Sequence, residues 1–121
     1  MAKQDFKIPT LAEATYHYLG LYKQPARQAD FEKAERTFQN ALKNVHKPDE
    51  IRAALALDKA RRLPVQLKSP AYERLLALDG RTSKLLREYA QEMYDFGPEF
   101  SYYADTLWDE AKALEDADKA K

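Results

Sequence analysis

Side chains able to carry chemistry are few in this 121-residue chain, and they stand far apart. There are two histidines, His17 and His46, and no cysteine. Without cysteine the chain has no disulfides, thiolate metal sites or cysteine nucleophiles, and it suits a reducing compartment. The histidines lie 29 positions apart with no clustered carboxylates around both, whereas metal ligands usually come close-spaced. Glu13 and His17 share one helix face at i, i+4, a spacing whose ordinary meaning is a solvent-side pair. Ser69 precedes Pro70, where a hydroxyl caps a helix rather than attacking a substrate. Three glycines leave no Gly-rich phosphate loop. No catalytic residue, metal ligand or cofactor is assigned, and the chain is read as a non-enzyme.

Two other groups of residues could bind rather than react. Tyrosine supplies contact area at low entropic cost and is enriched in interfaces. Of the eight tyrosines, Tyr89 and Tyr103 fit a core, while Tyr16, Tyr22, Tyr94 and Tyr102 fall off the best core positions. The basic cluster Arg52, Lys59, Arg61, Arg62 and Lys68 could contact phosphates, although a solvated helix face is the commoner meaning of such a run. Net charge is zero, which weakens a nucleic-acid reading. The charge is nevertheless split: residues 31 to 68 carry 9 Lys/Arg against 5 Asp/Glu, and residues 94 to 121 carry 3 against 8.

Helices must position these groups. Thr10 and Glu13 fit a capping box, so a first helix is expected from Thr10 to Gln24, stopped by Pro25. Asp30 is expected to cap a second, whose Phe31, Ala34, Phe38, Ala41, Leu42 and Val45 keep helical spacing. Pro48 and Asp49 open a third, with Ile51, Ala54, Leu55 and Leu63 inward, ending or kinking at Pro64. Ser69 and Pro70 are expected to start a short fourth through Leu75, Leu76 and Leu78, stopped by Gly80. Thr82 or Ser83 caps a fifth, with Leu85, Leu86, Tyr89, Ala90 and Met93 inward. Gly97 and Pro98 separate it from a sixth that buries Phe100, Tyr103, Ala104, Leu107, Trp108, Ala111 and Leu114. No segment alternates with the period-two pattern of a half-buried strand for long enough to be one.

The stretch DFEKAERTFQNALKN, residues 30 to 44, is echoed seventy positions later by FSYYADTLWDEAKAL. Ala34, Phe38 and Ala41 align with Ala104, Trp108 and Ala111, and Leu19-Gly20 aligns with Tyr89-Ala90 at the same offset. Phe38 and Trp108 are expected to be equivalent anchors. Twice thirty-five is two periods of a helix-turn-helix repeat, in which each hairpin must stack on a neighbour to bury its apolar face. The middle unit is degenerate, because Ser69 and Glu73 stand where alanine and an aromatic are expected. The expected fold is all-α: six helices in three antiparallel hairpins, forming a short right-handed solenoid. A single domain over residues 10-117 lies between an N-terminal extension, 1-9, and a tail, 118-121.

AEATYHYLGLYKQ followed by ADFEKAERTFQNALKN resembles a tetratricopeptide repeat. Leu19-Gly20 stands for the helix-A pair, Ala34 for the small residue at the crossing, and Phe38 and Ala41 for the helix-B pair. AYERLLALDGRTSKLLREYAQEM looks more like the half-a-tetratricopeptide repeat of RNA-processing factors, through Tyr72-Glu73-Arg74, Leu76, Tyr89 and Ala90. It is also similar to a helical region of the tiny-macrocysts-type proteins, which are large membrane proteins, whereas this chain has no candidate span. Such arrays bind with the concave face made by the first helix of each hairpin. The resemblance therefore implies a partner-binding groove lined by His17, Leu21 and Gln24 and by Lys84, Arg87, Gln91 and Tyr94, with Arg87 and Tyr94 exposed. The chaperone-tail clamp of that class needs Lys and Asn where this chain has His17 and Leu21, so a chaperone-tail receptor is not implied. The expected function is a protein-protein interaction module or small adaptor, monomeric, soluble and cytoplasmic or nuclear. The alternative is an RNA-associated processing factor using the basic middle helices.

Overall fold

The computed structural model describes residues 9–57 and 63–120, and every regular element among them is helical. The helices are α1 (Leu11–Gly20), α2 (Gln28–Lys43), α3 (Pro48–Ala56), α4 (Val65–Asp79), α5 (Ser83–Phe96) and α6 (Ser101–Lys119). Short 3-10 turns, Leu21–Lys23 and Pro98–Phe100, follow α1 and precede α6. Among the described residues no helix is long and apolar enough to cross a membrane. The chain divides into two compact units, Met1–Lys68 and Ser69–Lys121.

In the first unit α1 packs against both α2 and α3. Its start is the expected capping box: Thr10 Oγ1 accepts from the Glu13 amide at 3.1 Å, and Glu13 Oε1 accepts from the Thr10 amide at 2.8 Å. Leu11, Ala14, Tyr18 and Leu19 are buried on one face. Ala34, Phe38, Ala41 and Leu42 of α2 are buried as their spacing predicts, and so are Ile51 and Ala54 of α3. Helix α2 begins earlier than expected. Arg27 is its N-cap, and Asp30 sits three positions on, accepting the Arg27 amide at 2.9 Å. A carboxylate serves either place, since both put negative charge at the positive end of the helix dipole.

The start of α4 corrects the expectation that Ser69 and Pro70 open that helix. It begins at Val65, with the Pro64 carbonyl accepting from the Leu67 and Lys68 amides, and Pro70 lies inside it. Proline has no amide to give the carbonyl four residues back, here that of Gln66. The Gln39 side chain of α2 donates to that carbonyl at 3.4 Å instead, and the Gln66 side chain donates to Glu35 Oε2 at 3.1 Å. Two residues one turn apart on α2 thus hold the turn the proline leaves incomplete. The apolar run Leu67, Ala71, Tyr72, Leu75, Leu76, all buried, carries helical spacing straight across the proline.

In the second unit Thr82 caps α5 by accepting the Leu85 amide at 3.2 Å. Leu85, Leu86, Tyr89, Ala90 and Met93 are all buried, as expected. Gly97 follows with φ of +140°, a conformation closed to L side chains, and the chain turns into α6. Cross-helix pairs run in opposite order, Tyr94 with Asp105 and Arg87 with Glu115, so α5 and α6 point in opposite directions. Beneath Tyr89 lies a polar chain. Ser69 and Tyr89 share a 2.6 Å hydrogen bond, Tyr89 donates to the Tyr103 hydroxyl at 3.5 Å, and Tyr103 donates to Glu73 at 2.5 Å. The Tyr72 ring stacks on Tyr89 with centroids 5.0 Å apart. Ser69, expected as a cap, therefore serves this buried phenol.

Helix α6 buries only a narrow stripe, Ala104, Leu107 and Ala111. Tyr103, Trp108 and Leu114, expected inside, keep more than a third of their surface exposed. Small side chains let two helix backbones approach closely, and large neighbours are then displaced to the edges of the contact. Trp108 is 38% exposed whereas Phe38 is fully buried, so the two are not equivalent anchors.

Candidate functional site

Of the seven residues expected to line a groove, His17, Leu21 and Gln24 lie in the first unit and Lys84, Arg87, Gln91 and Tyr94 in the second. The first three meet at a single feature. They line a cleft of about 380 Å³ together with Pro25, Ala26, Asp30 and Lys33. Its shape follows from the backbone. Past Gly20 the chain tightens into the turn Leu21–Lys23 and then extends at Gln24, with φ −143° and ψ 163°. Pro25 and Ala26 carry it to the start of α2, leaving a concave corner between the end of one helix and the first turns of the next.

Leu21 forms the floor at 4% exposure, and His17, Gln24, Asp30 and Lys33 are exposed around it. The Asp30 carboxylate is already engaged by the Arg27 amide. No hydrogen bond or ion pair among the described residues engages the His17 imidazole, the Gln24 carboxamide or the Lys33 ammonium. The cleft therefore offers the Leu21 side chain at its base and a mixed rim of hydrogen-bond donors and acceptors. Asp30 and Lys33 were not among the expected groove residues. Their i, i+3 spacing puts both on one face of α2, but only the fold turns that face toward α1.

The four residues of the second unit lie along α5, and two of them are turned onto α6. Arg87 and Tyr94, expected as exposed, are half-buried. Arg87 grips Glu115 through two hydrogen bonds, at 2.8 and 2.5 Å, and its guanidinium carbon lies 4.3 Å from the Trp108 ring centroid. The Tyr94 hydroxyl donates to Asp105, and its ring meets Trp108 edge-on with centroids 6.4 Å apart. The hydrogen bond to Glu115 raises the Arg87 pKa, and the same bond holds the Glu115 carboxyl below its ordinary value. Arginine over an indole with a bidentate carboxylate beneath is a brace between helices. Lys84 and Gln91 are exposed, and Gln91 donates to Asp95 at 3.2 Å.

The basic cluster is only partly in view. Arg52 is exposed on α3, Lys68 is buried at 7% exposure, and Lys59, Arg61 and Arg62 lie outside the described residues. Lys68 is drawn in because its place on α4, four residues before Tyr72, is on that helix's buried face. Among the tyrosines off the core positions, Tyr16, Tyr22 and Tyr102 are exposed. Among the described residues no group of three or more His, Asp or Glu is set to hold a metal ion. No protein-family model, no curated protein and no solved structure matches the chain.

Proposed function

We propose that the chain is a non-catalytic interaction module, a small helical-repeat adaptor that receives an extended segment of another protein in the cleft between α1 and α2. One observation carries this reading. His17, Leu21 and Gln24, the first-hairpin groove residues that the tetratricopeptide resemblance implies, line the same cleft. A concave corner that sets polar side chains around an apolar residue gives an extended segment both hydrogen-bonding groups and a place for a side chain. The reading takes the six helices as three antiparallel hairpins of a right-handed solenoid. The matched burial of Ala34 and Ala41 in α2 and of Ala104 and Ala111 in α6 supports that repeat.

The test is affinity capture from native extract with the wild-type chain beside the variant carrying His17→Ala, Gln24→Ala and Lys33→Ala. All three residues are exposed, so the variant should keep its thermal midpoint while losing the proteins that wild type retains. Retention of the same proteins by both would remove the cleft from the account. Capture of RNA instead, falling steeply with salt, would favour an RNA-associated factor.

A further inference from the structure

Resting on that reading of the cleft, we infer that its occupant is an acidic peptide segment: an internal stretch of another protein in which a leucine-sized apolar side chain stands beside a glutamate or aspartate. A cleft of about 380 Å³ lies near the lower end of ligand-pocket sizes, about 300 to 1,000 Å³. That admits one or two side chains, not a folded domain. Its floor is the buried Leu21, flanked by Pro25 and Ala26. An apolar side chain placed there leaves water without stranding a polar group.

The charges around the floor decide the rest. Asp30 and Lys33 are the two formal charges lining the cleft. The Asp30 carboxylate is answered inside the fold, by the Arg27 amide at 2.9 Å and by its place in the first turn of α2. The Lys33 ammonium is unanswered among the described residues, and the His17 and Gln24 side chains add groups without partners there that can donate or accept. A ligand that complements the Lys33 ammonium brings a negative charge. A carboxylate next to an apolar residue supplies a charge for Lys33 and carbon for Leu21, and the peptide groups beside them suit the Gln24 carboxamide. Nucleic acid fits less well. Phosphate binding rests on several cations together, and here there is one lysine.

Selection of a displayed random dodecapeptide library on the immobilised full-length chain tests this, with the enriched peptides then synthesised and titrated by fluorescence anisotropy. The expected result is a consensus pairing Glu or Asp with Leu, Ile or Met. Its binding should shift the amide signals of residues 17 to 33 and weaken with added salt. Lys33→Gln should weaken it about 3-fold and Lys33→Glu about 10-fold, as for an exposed ion pair removed and then reversed. Both variants replace an exposed side chain, and unchanged circular dichroism melts verify their folds. Peptides that shift the same signals but are basic or uncharged, or that bind Lys33→Glu as well as wild type, overturn the acidic inference and leave the cleft as a binding site. Enrichment of no peptide, peptides that shift only signals elsewhere, or a labelled oligouridine that binds the cleft in their place overturns both.

Discussion

Replacing Phe38 by alanine should destabilise its unit by roughly twice as much as replacing Trp108 destabilises the other. Phe38 has no exposed surface. Its truncation withdraws on the order of 130 Å² of apolar area, about 3 kcal/mol at about 25 cal per Å², and the cavity left behind raises the loss to about 4 kcal/mol. Trp108 begins 38% exposed. Truncating it removes on the order of 80 Å² of covered area, and loss of the Arg87 contact brings the total to about 2 to 2.5 kcal/mol. Water can enter at that edge, so no closed cavity forms. The assay is urea unfolding followed through NMR amide intensities, so that each unit reports for itself and no tryptophan signal is needed. Losses equal within about 0.5 kcal/mol, a margin inside which distant substitutions cannot be told apart, would refute the reasoning and restore the equivalence that the echo suggests.

Other consequences can be checked with the same methods. Gln39→Leu should cost up to about 1 kcal/mol, because it removes the side-chain donor to the Gln66 carbonyl that Pro70 leaves without an amide and hands that exposed carbonyl to water. In a Pro70→Ala background, where an amide can take that carbonyl, the cost should shrink, and an unchanged cost in the double-mutant cycle would sink the idea. The Tyr89 phenol is pushed above its ordinary value of about 10, chiefly by burial and then by donation to Tyr103, with the Ser69 hydrogen bond opposing. Its neutral form is favoured on folding. The stability it contributes is complete below about pH 10 and is lost as pH rises through the folded value. Urea midpoints from pH 8 to 11 should therefore fall, and Tyr89→Phe should flatten the decline. Asp105→Leu with Asp109→Leu places two apolar side chains on the exposed flank of α6, and should raise the mass measured by sedimentation as concentration increases. A mass that does not rise with concentration would contradict the idea that these two exposed carboxylates oppose self-association.

What could be read from the sequence was what depends on local spacing. The Thr10 and Thr82 caps, the buried faces of α2 and α5 and the stop at Gly97 all follow from residues within a turn or two of one another. What could not be read depends on partners remote in the chain. Pro70 looks like a helix start because the Gln39 donor that tolerates it lies 31 residues earlier. Trp108 looks like a core residue because the spacing around it matches Phe38, and nothing in that spacing tells that the α6 stripe is only alanine and leucine wide. In the cleft, His17, Leu21 and Gln24 were implied by the repeat resemblance, whereas Asp30 and Lys33 are brought beside them by the fold alone.

The central claim is that the cleft between α1 and α2 holds a segment of another protein, and site-specific photocrosslinking tests it most directly. A benzophenone side chain is placed at Gln24, on the rim, and separately at Lys43, an exposed residue at the far end of α2. Lys43 lies ten positions from Lys33, about 15 Å along the helix. The account predicts discrete crosslinked adducts from position 24 and none from position 43 when the chain is irradiated in native extract. Adducts of equal yield from both positions, or from position 43 alone, would contradict it.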